Sequence, residues 1–168
     1  MKRIVAVLLA VVVLFAFTGC GEEKITIENI PDNALYHYSL GKVIYPGMTE
    51  DEIDAEIGEY GKRSDGSAII YDLGELTIAF TEGIVQGIST ESDEWVMKGK
   101  IAVGTSTRDD VIAAYGDPFE EAENTVMENT KRMMYPASDT DEYQDLRILN
   151  YSIEDERVVH ITLMRIPK

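Results

Sequence analysis

Residues 49–58 read TEDEIDAEIG, and residues 107–116 read TRDDVIAAYG. The two segments lie 58 residues apart (107 − 49) and share threonine, aspartate, alanine and glycine at their first, third, seventh and tenth positions. Both also carry an acidic residue at the fourth position and an aliphatic residue at the fifth. An internal repeat of this kind predicts two related structural units in one chain.

Each segment predicts a short helix. Thr49 and Thr107 suit the N-cap position, because a threonine hydroxyl accepts a hydrogen bond from a free backbone N–H of the first turn. Three residues later, Glu52 and Asp110 complete a capping box. The glycine that closes each segment suits the residue after the last turn. We therefore expect two helices that begin in the same way.

After each helix the hydrophobic period falls to two, which is typical of β-strands. In the first unit we expect strands at residues 68–71, 76–80 and 84–90. In the second unit we expect them at residues 131–135, 146–150 and 157–164. The sequence thus predicts an α+β fold class, with two tandem units of one helix and a three-stranded antiparallel meander.

Several glycine and core positions carry a resemblance to a known family. In the first unit they are Gly47-Met48-Thr49, Glu52-Ile53, Gly58 and the run from Leu76 to Ile88 with Glu82-Gly83 at its turn; in the second they are Gly99 to Ser106, Val111 and Tyr115-Gly116-Asp117-Pro118. These residues resemble the SmpA/OmlA domain of BamE-like outer-membrane lipoproteins, and the doubling resembles the β-lactamase-inhibitor-protein (BLIP)-like architecture. The resemblance implies one concave sheet and a protein-binding role.

The N-terminus has the composition of a secretory signal. Lys2 and Arg3 precede fourteen uncharged, apolar residues at 4–17. A membrane-spanning helix is the alternative, but fourteen helical residues reach only about 21 Å, against roughly 30 Å of hydrocarbon. We therefore expect a signal peptide over residues 1–19.

Phe17-Thr18-Gly19-Cys20 resembles the bacterial lipobox, although that pattern usually has leucine where this chain has Phe17. The resemblance implies cleavage between Gly19 and Cys20 and attachment of fatty acyl chains, such as palmitate, to Cys20. A stray buried cysteine is the alternative, but Cys20 is the chain's single cysteine and stands where lipidation requires it. We expect a lipidated cysteine and tether over residues 20–42, a first unit over 43–94 and a second over 95–168.

The charge of the chain limits its partners. Without Lys2 and Arg3, 13 basic residues face 31 acidic ones, a formal charge of −18. Such a domain repels nucleic acid and anionic headgroups, so we expect no nucleic-acid partner and membrane attachment through the lipid alone. One interpretation of this charge is a cationic partner. The simpler interpretation is that the charge keeps the protein soluble.

Few residues suggest chemistry. His37 and His160 are the two histidines, and no local motif brings a nucleophile and an acid to either of them. The acidic stretch 138–145 resembles a calcium loop but lacks the glycine and glutamate spacing of an EF-hand, so a solvated hairpin is expected there. The sequence predicts no catalytic residue, no metal site and no cofactor.

Aromatic residues supply the candidate binding surface. Tyr71 and Tyr135 fall at comparable strand positions, and Trp95, the sole tryptophan, joins the two units. Exposed aromatic residues on a sheet often bind proteins. The alternative is that the tyrosines complete a half-buried sheet and that Trp95 covers the junction between the units.

The sequence therefore leads to one functional hypothesis and one rival. The first is a non-enzymatic protein-binding lipoprotein on the extracytoplasmic face of the cell membrane, or of the outer membrane if the host has one, with an exported or envelope protein as partner. The rival is a metal-dependent, ligand-sensing or hydrolytic surface lipoprotein. A pocket of converging acidic groups would favour the rival, and a broad sheet with exposed aromatics would favour binding.

Overall fold

The computed structural model describes residues 25–65, 68–73, 76–139 and 142–168. These residues contain two α-helices, α1 (Glu50–Ile57) and α2 (Arg108–Tyr115), and 3-10 turns at Gly58–Tyr60 and Lys98–Lys100. The strands are β1 (Leu35–His37), β2 (Val43–Ile44), β3 (Lys62–Asp65), β4 (Ala68–Tyr71), β5 (Leu76–Thr81), β6 (Ile84–Thr90), β7 (Trp95–Met97), β8 (Ile101–Ala102), β9 (Glu120–Glu123), β10 (Thr130–Asp139), β11 (Tyr143–Ser152) and β12 (Val158–Pro167).

The strands form two antiparallel sheets. The large sheet has eight strands in the order β3-β4-β5-β6-β12-β11-β10-β9. The small sheet has four strands in the order β2-β1-β7-β8. In the centre of the large sheet β6 pairs with β12, from Gly87 opposite Met164 to Thr90 opposite Ile161.

The predicted fold class is wrong. The chain is mostly β, and it does not consist of two helix-plus-three-stranded-meander units of the BamE/BLIP-like kind. The small sheet takes β1 and β2 from residues 35–44 and β7 and β8 from residues 95–102, so it crosses the expected boundaries. Strands of two or three residues are too short to show a period of two. Nothing in the sequence therefore indicated that they pair with distant parts of the chain.

Both predicted helices are confirmed. In α1 the Thr49 hydroxyl accepts from the Glu52 backbone N–H, and the Glu52 carboxylate accepts from the Thr49 backbone N–H. Thr107 and Asp110 form the same capping box in α2. The repeat therefore marks two helix starts of identical chemistry.

Each helix start is also bonded to the tip of a hairpin. The Glu50 N–H donates to Gly83 O between β5 and β6, and the Arg108 N–H donates to Glu156 O between β11 and β12. Thr49 forms a β-bridge with Ile84, and Thr107 forms one with Arg157. Each bond at the first helix start has a counterpart at the second, so the two repeated segments contact equivalent hairpins of the large sheet.

The six predicted strands are all present, and 68–71 and 84–90 match β4 and β6 in full. Glu82 and Gly83 have φ of 53° and 77°, as a tight hairpin turn requires. The acidic stretch 138–145 is a shorter loop than expected, because β10 continues to Asp139 and β11 begins at Tyr143. Residues 140–141 of that stretch lie outside the described residues.

The main core lies on one face of the large sheet. Sheet residues such as Ile78, Leu149 and Leu163 pack in one cluster with Ile53 of α1 and Val111 of α2. The inner side of the small sheet joins the same cluster through its buried side chains, Leu35, Ile44, Trp95, Met97 and Ile101. Both helices and the small sheet therefore cover the same face.

The folded part begins earlier than the expected tether allows. Ile30, Ala34 and Leu35 are buried, and β1 and β2 are paired strands, although a tether was expected to residue 42. Residues 1–19, Cys20 and the Gly19–Cys20 bond lie outside the described residues. Within the described part of the chain, no helix is both long and apolar enough to cross a membrane.

Candidate functional site: the open face of the large sheet

The three aromatic residues expected to form a binding surface are buried. Tyr71 and Trp95 are 0% exposed and Tyr135 is 2% exposed, so none of them can contact a partner. Tyr71 and Tyr135 do share a face, as expected, but it is the covered one. Trp95 lies against the edge of the His37 ring, with 4.9 Å between ring centroids.

The polar atoms of these side chains explain why burial is tolerated. The Tyr71 hydroxyl donates to Asp54 Oδ1 of α1 at 3.1 Å, and the Tyr135 hydroxyl donates to Gly116 O after α2 at 3.1 Å. Trp95 Nε1 donates to Leu73 O at 3.2 Å. Burial raises the pKa of Tyr135 to about 12, so its hydroxyl stays a donor at neutral pH. The two tyrosines therefore connect the helices to the large sheet, and Trp95 connects the small sheet to the β4–β5 loop.

The opposite face of the large sheet, which we call the open face, is the one that α1, α2 and the small sheet do not cover. Side chains alternate along a strand, so the neighbours of core residues such as Met133, Leu149 and Leu163 point to this side. Its partly exposed apolar residues are Ile84, Met134, Ile148, Met164 and Ile166, while Leu146 on the same side is buried at 5% exposed. Met134 pairs with Ile148 and Leu146 pairs with Met164, so the patch is continuous across three strands.

A groove of about 630 Å³ lies at one end of the open face. β6 and β12 pair only from Gly87 and Met164 inward, and beyond that point they separate. Ile84 and Gln86 line one side of the groove, and Met164 and Ile166 line the other. The apolar patch thus continues into a recess that could receive a side chain from another molecule.

A chain of polar side chains borders the other end of the apolar patch. Asn124 Nδ2 donates to Asn150 Oδ1 at 2.7 Å, and Asn150 Nδ2 lies 3.1 Å from His160 Nδ1. Thr162 Oγ1 lies 3.3 Å from the same nitrogen. Two donors at Nδ1 favour the tautomer that carries its proton on Nε2. Burial lowers the pKa of His160, with Glu91 opposing the shift, so the His160 ring is uncharged at neutral pH.

The strands at the two edges of the large sheet are charged. β3 reads KRSD and β9 reads EEAE. Charged edge strands disfavour pairing with a strand of another chain. A partner is therefore more easily accommodated on the open face than along an edge.

The remaining candidates for chemistry do not converge. His37 is 1% exposed and lies in the small sheet, while His160 lies on the open face of the large sheet. Burial lowers the pKa of His37, with Glu94 opposing the shift. Among the described residues no group of three His, Cys, Asp or Glu side chains could hold a metal ion.

Only part of this site could be predicted from the sequence. Leu146 and Ile148 were expected to lie on the strand that they occupy, but β11 also carries Leu149 and Tyr151 on its other side. With apolar residues on both sides, the period of two does not tell which side faces the core. Met134 and Met164 gave no signal, because an isolated methionine fits core and surface equally well.

No protein-family model matches this chain, and no curated protein and no solved structure matches it.

Proposed function

We propose that this protein is a lipid-anchored, non-enzymatic binding module that holds another exported or envelope protein on its open face. The observation that carries the proposal is the apolar patch of Met134, Ile148 and Met164, which adjoins the buried Leu146 and lies beside the groove between β6 and β12. An apolar centre with a polar rim is the usual anatomy of a protein interface. Here the rim is the Asn150–His160 chain at one end and Gln86 at the other.

The net charge supports a partner with basic residues around its contact surface. A formal charge of −18 after removal of Lys2 and Arg3 attracts a cationic protein over a distance of about one Debye length. Such attraction raises the association rate more than the final affinity, and salt weakens it. The apolar patch, which is insensitive to salt, would then hold the partner in place.

The lipobox-like sequence at Cys20 supports the location. Acyl chains on Cys20 would place the domain on the extracytoplasmic face of the cell membrane, or on an outer membrane if the host has one. Residues 21–24 would connect the anchor to the described structure, which begins at residue 25. A short connection keeps the module close to the membrane surface, where its partner is expected.

The experiment that tests this function is affinity capture of the intact lipoprotein from detergent-solubilised membranes, with substitutions on the open face. Ile148→Glu and Met164→Glu place a charge in the apolar patch and should reduce recovery of the specific partner about tenfold or more. Val126→Glu is the matched control, because Val126 is 88% exposed in the β9–β10 loop and does not belong to the apolar patch.

Circular dichroism and thermal melts of all three variants check that they fold. The proposal fails if no specific partner is recovered in any condition. It also fails if Ile148→Glu and Met164→Glu recover the same partner as well as Val126→Glu does.

A further inference from the structure

The outer side of the small sheet is a second apolar surface, on the opposite side of the molecule from the open face. The inner side of this sheet packs on the main core through residues such as Leu35 and Trp95. On its outer side Val96 and Ala102 form a separate cluster with side chains of the segment 25–34. The layers therefore run from the open face through the large sheet, the main core and the small sheet to this outer side, which we call the outer face.

Exposed aromatic and aliphatic side chains border the outer face. Tyr36 of β1 and Val43 of β2 stand opposite each other and pack with the outer cluster. Because side chains alternate along a strand, Tyr38 and Tyr45, two residues further along, fall on the same side. Tyr38 is 66% exposed, Tyr45 is 43% exposed, and Leu40 in the loop between them is 40% exposed. A group of exposed apolar side chains of this kind marks an interaction surface.

The start of the described chain lies at the same face. Ile25 and Tyr45 line one recess, and Ile27 and Tyr38 line another. Cys20 precedes Ile25 by five residues, which span at most about 18 Å when fully extended. A lipidated Cys20 would therefore hold these two tyrosines next to the surface of the bilayer.

The charges beside the outer face do not favour an anionic membrane. The Lys98 ammonium group is paired with the Asp32 carboxylate, and Lys100 Nζ donates to Glu28 Oε1 at 2.8 Å. Glu94 adds a further carboxylate to one of the two recesses. Contact with a membrane would therefore come from the apolar and aromatic groups, and tyrosine rings favour the interfacial layer between hydrocarbon and water.

We infer that the outer face lies in the headgroup layer of the bilayer that carries the anchor, with Tyr38, Leu40 and Tyr45 among zwitterionic headgroups. The inference rests on the lipid anchor of the proposed function and adds an orientation to it. The acyl chains hold the protein on the membrane, and the outer face determines which side of the domain the membrane covers. The domain itself thus contacts the bilayer, whereas its net charge predicted attachment through the lipid alone. The open face then points away from the bilayer, toward an envelope protein.

The test is quenching of tryptophan fluorescence in the lipidated protein, reconstituted in phosphatidylcholine vesicles with brominated acyl chains. Tyr38→Trp and Tyr45→Trp place a reporter on the outer face, and Ile148→Trp places the matched reporter on the open face. Trp95 is 0% exposed, and the unmodified protein measures its contribution. We expect brominated lipid to lower the emission added at positions 38 and 45 about twofold or more and to leave the emission added at position 148 unchanged.

A double variant separates the contribution of the tyrosines from that of the anchor. With Leu40→Trp as the reporter, Tyr38→Ser together with Tyr45→Ser should reduce the quenching about twofold, while the protein still floats with the vesicles through its acyl chains. Phe119→Ser is the matched control, because Phe119 is an exposed aromatic residue that lines neither recess, and it should leave the quenching unchanged. Thermal melts check that each variant folds.

The inference is overturned if the vesicle-bound protein shows no quenching at positions 38 and 45, or the same quenching there as at position 148. It is also overturned if the folded double variant is quenched like its parent. In each of these cases the anchor would stand, because the protein still floats with the vesicles. Failure of the unmodified protein to float would overturn the anchor and this inference together, whereas capture of a partner by the open face is measured separately.

Discussion

Individual hydroxyl and charged groups connect each helix to the large sheet. In the first half of the chain the helix supplies the negative charge, and in the second half it supplies the positive charge. In α1, Asp54 accepts from Tyr71 and from Lys62 of β3. In α2, Arg108 donates to Glu121 of β9, which also accepts from the Tyr151 hydroxyl. Both halves therefore join a helix residue, a strand residue and a tyrosine. The carboxylate is on the helix in the first half (Asp54) and on the strand in the second half (Glu121).

The second of these clusters makes stability depend on pH. Hydrogen bonds from Arg108, and then from Tyr151, lower the pKa of Glu121 to about 2. A lowered carboxylate pKa adds stability that is fully present above the ordinary value of 4.5 and is lost as the pH falls toward 2.

Glu121→Gln should therefore lower the free energy of unfolding by about 1 kcal/mol at neutral pH, because the ion pair is partly exposed. The difference from the unmodified protein should shrink as the pH falls below 4.5, since protonation then removes the same charge. Urea unfolding from neutral pH down to about pH 3 measures it. Glu123→Gln on the same strand is the control, and an equal loss in both variants would contradict the role of Glu121.

Single residues also show what the sequence could not reveal. Tyr71, Tyr135 and Trp95 were placed on the correct strands or junction, but they are not an exposed surface, and the alternative that they belong to the interior is the one that their burial supports. Tyrosine and tryptophan suit a buried site and an interface equally, because both have a large apolar ring and one polar atom. Only the tertiary partners, Asp54 and the carbonyls of Gly116 and Leu73, decide between the two.

Among the secondary-structure elements, those with local signals were predicted and those without were missed. The capping boxes of α1 and α2 and the turn at Glu82-Gly83 depend on residues within a few positions of one another. β1, β2, β7 and β8 depend on partners up to about 60 residues away and have two or three residues each. β3 and β9 are rich in charged residues, which have a low strand propensity, so the sequence did not indicate strands there.

The caps give a prediction at the level of the helix. Thr107→Ala removes the hydroxyl that accepts from the Asp110 N–H and should cost about 1 kcal/mol of stability. Thr107→Ser keeps the hydroxyl and should restore most of that loss. Thermal melts of both variants measure the effect, and equal melting temperatures for Ala and Ser would show that the cap adds nothing.

For the whole molecule, the helices and the small sheet cover one face of the large sheet, and no such layer covers the open face among the described residues. The sequence indicated the large sheet through six of its eight strands, but not the small sheet that covers one side of it. Without that second layer, the sequence could not tell the covered side from the open one. Tyr71 and Tyr135 therefore lie on the covered side of the large sheet, and Trp95 lies in the small sheet.

The anchor is a separate prediction at this scale. Cys20→Ser should abolish fatty-acid labelling and leave the precursor uncut, because the thiol is the acceptor of the lipid in the lipobox reaction. Metabolic labelling with a fatty acid, followed by N-terminal sequencing of the unmodified protein, measures both effects. Labelling that persists in Cys20→Ser, or a mature N-terminus at another residue, would contradict lipid anchoring at this site.

Site-specific photo-crosslinking in intact cells tests the central claim, that the open face holds a protein partner, most directly. A photoreactive residue in place of Met164 lies in the apolar patch beside the groove, and the same residue in place of Val126 lies in an exposed loop. We predict one discrete crosslinked protein from position 164 and none from position 126. The absence of any protein crosslink at 164, or the same crosslinked protein from both positions, would contradict the account.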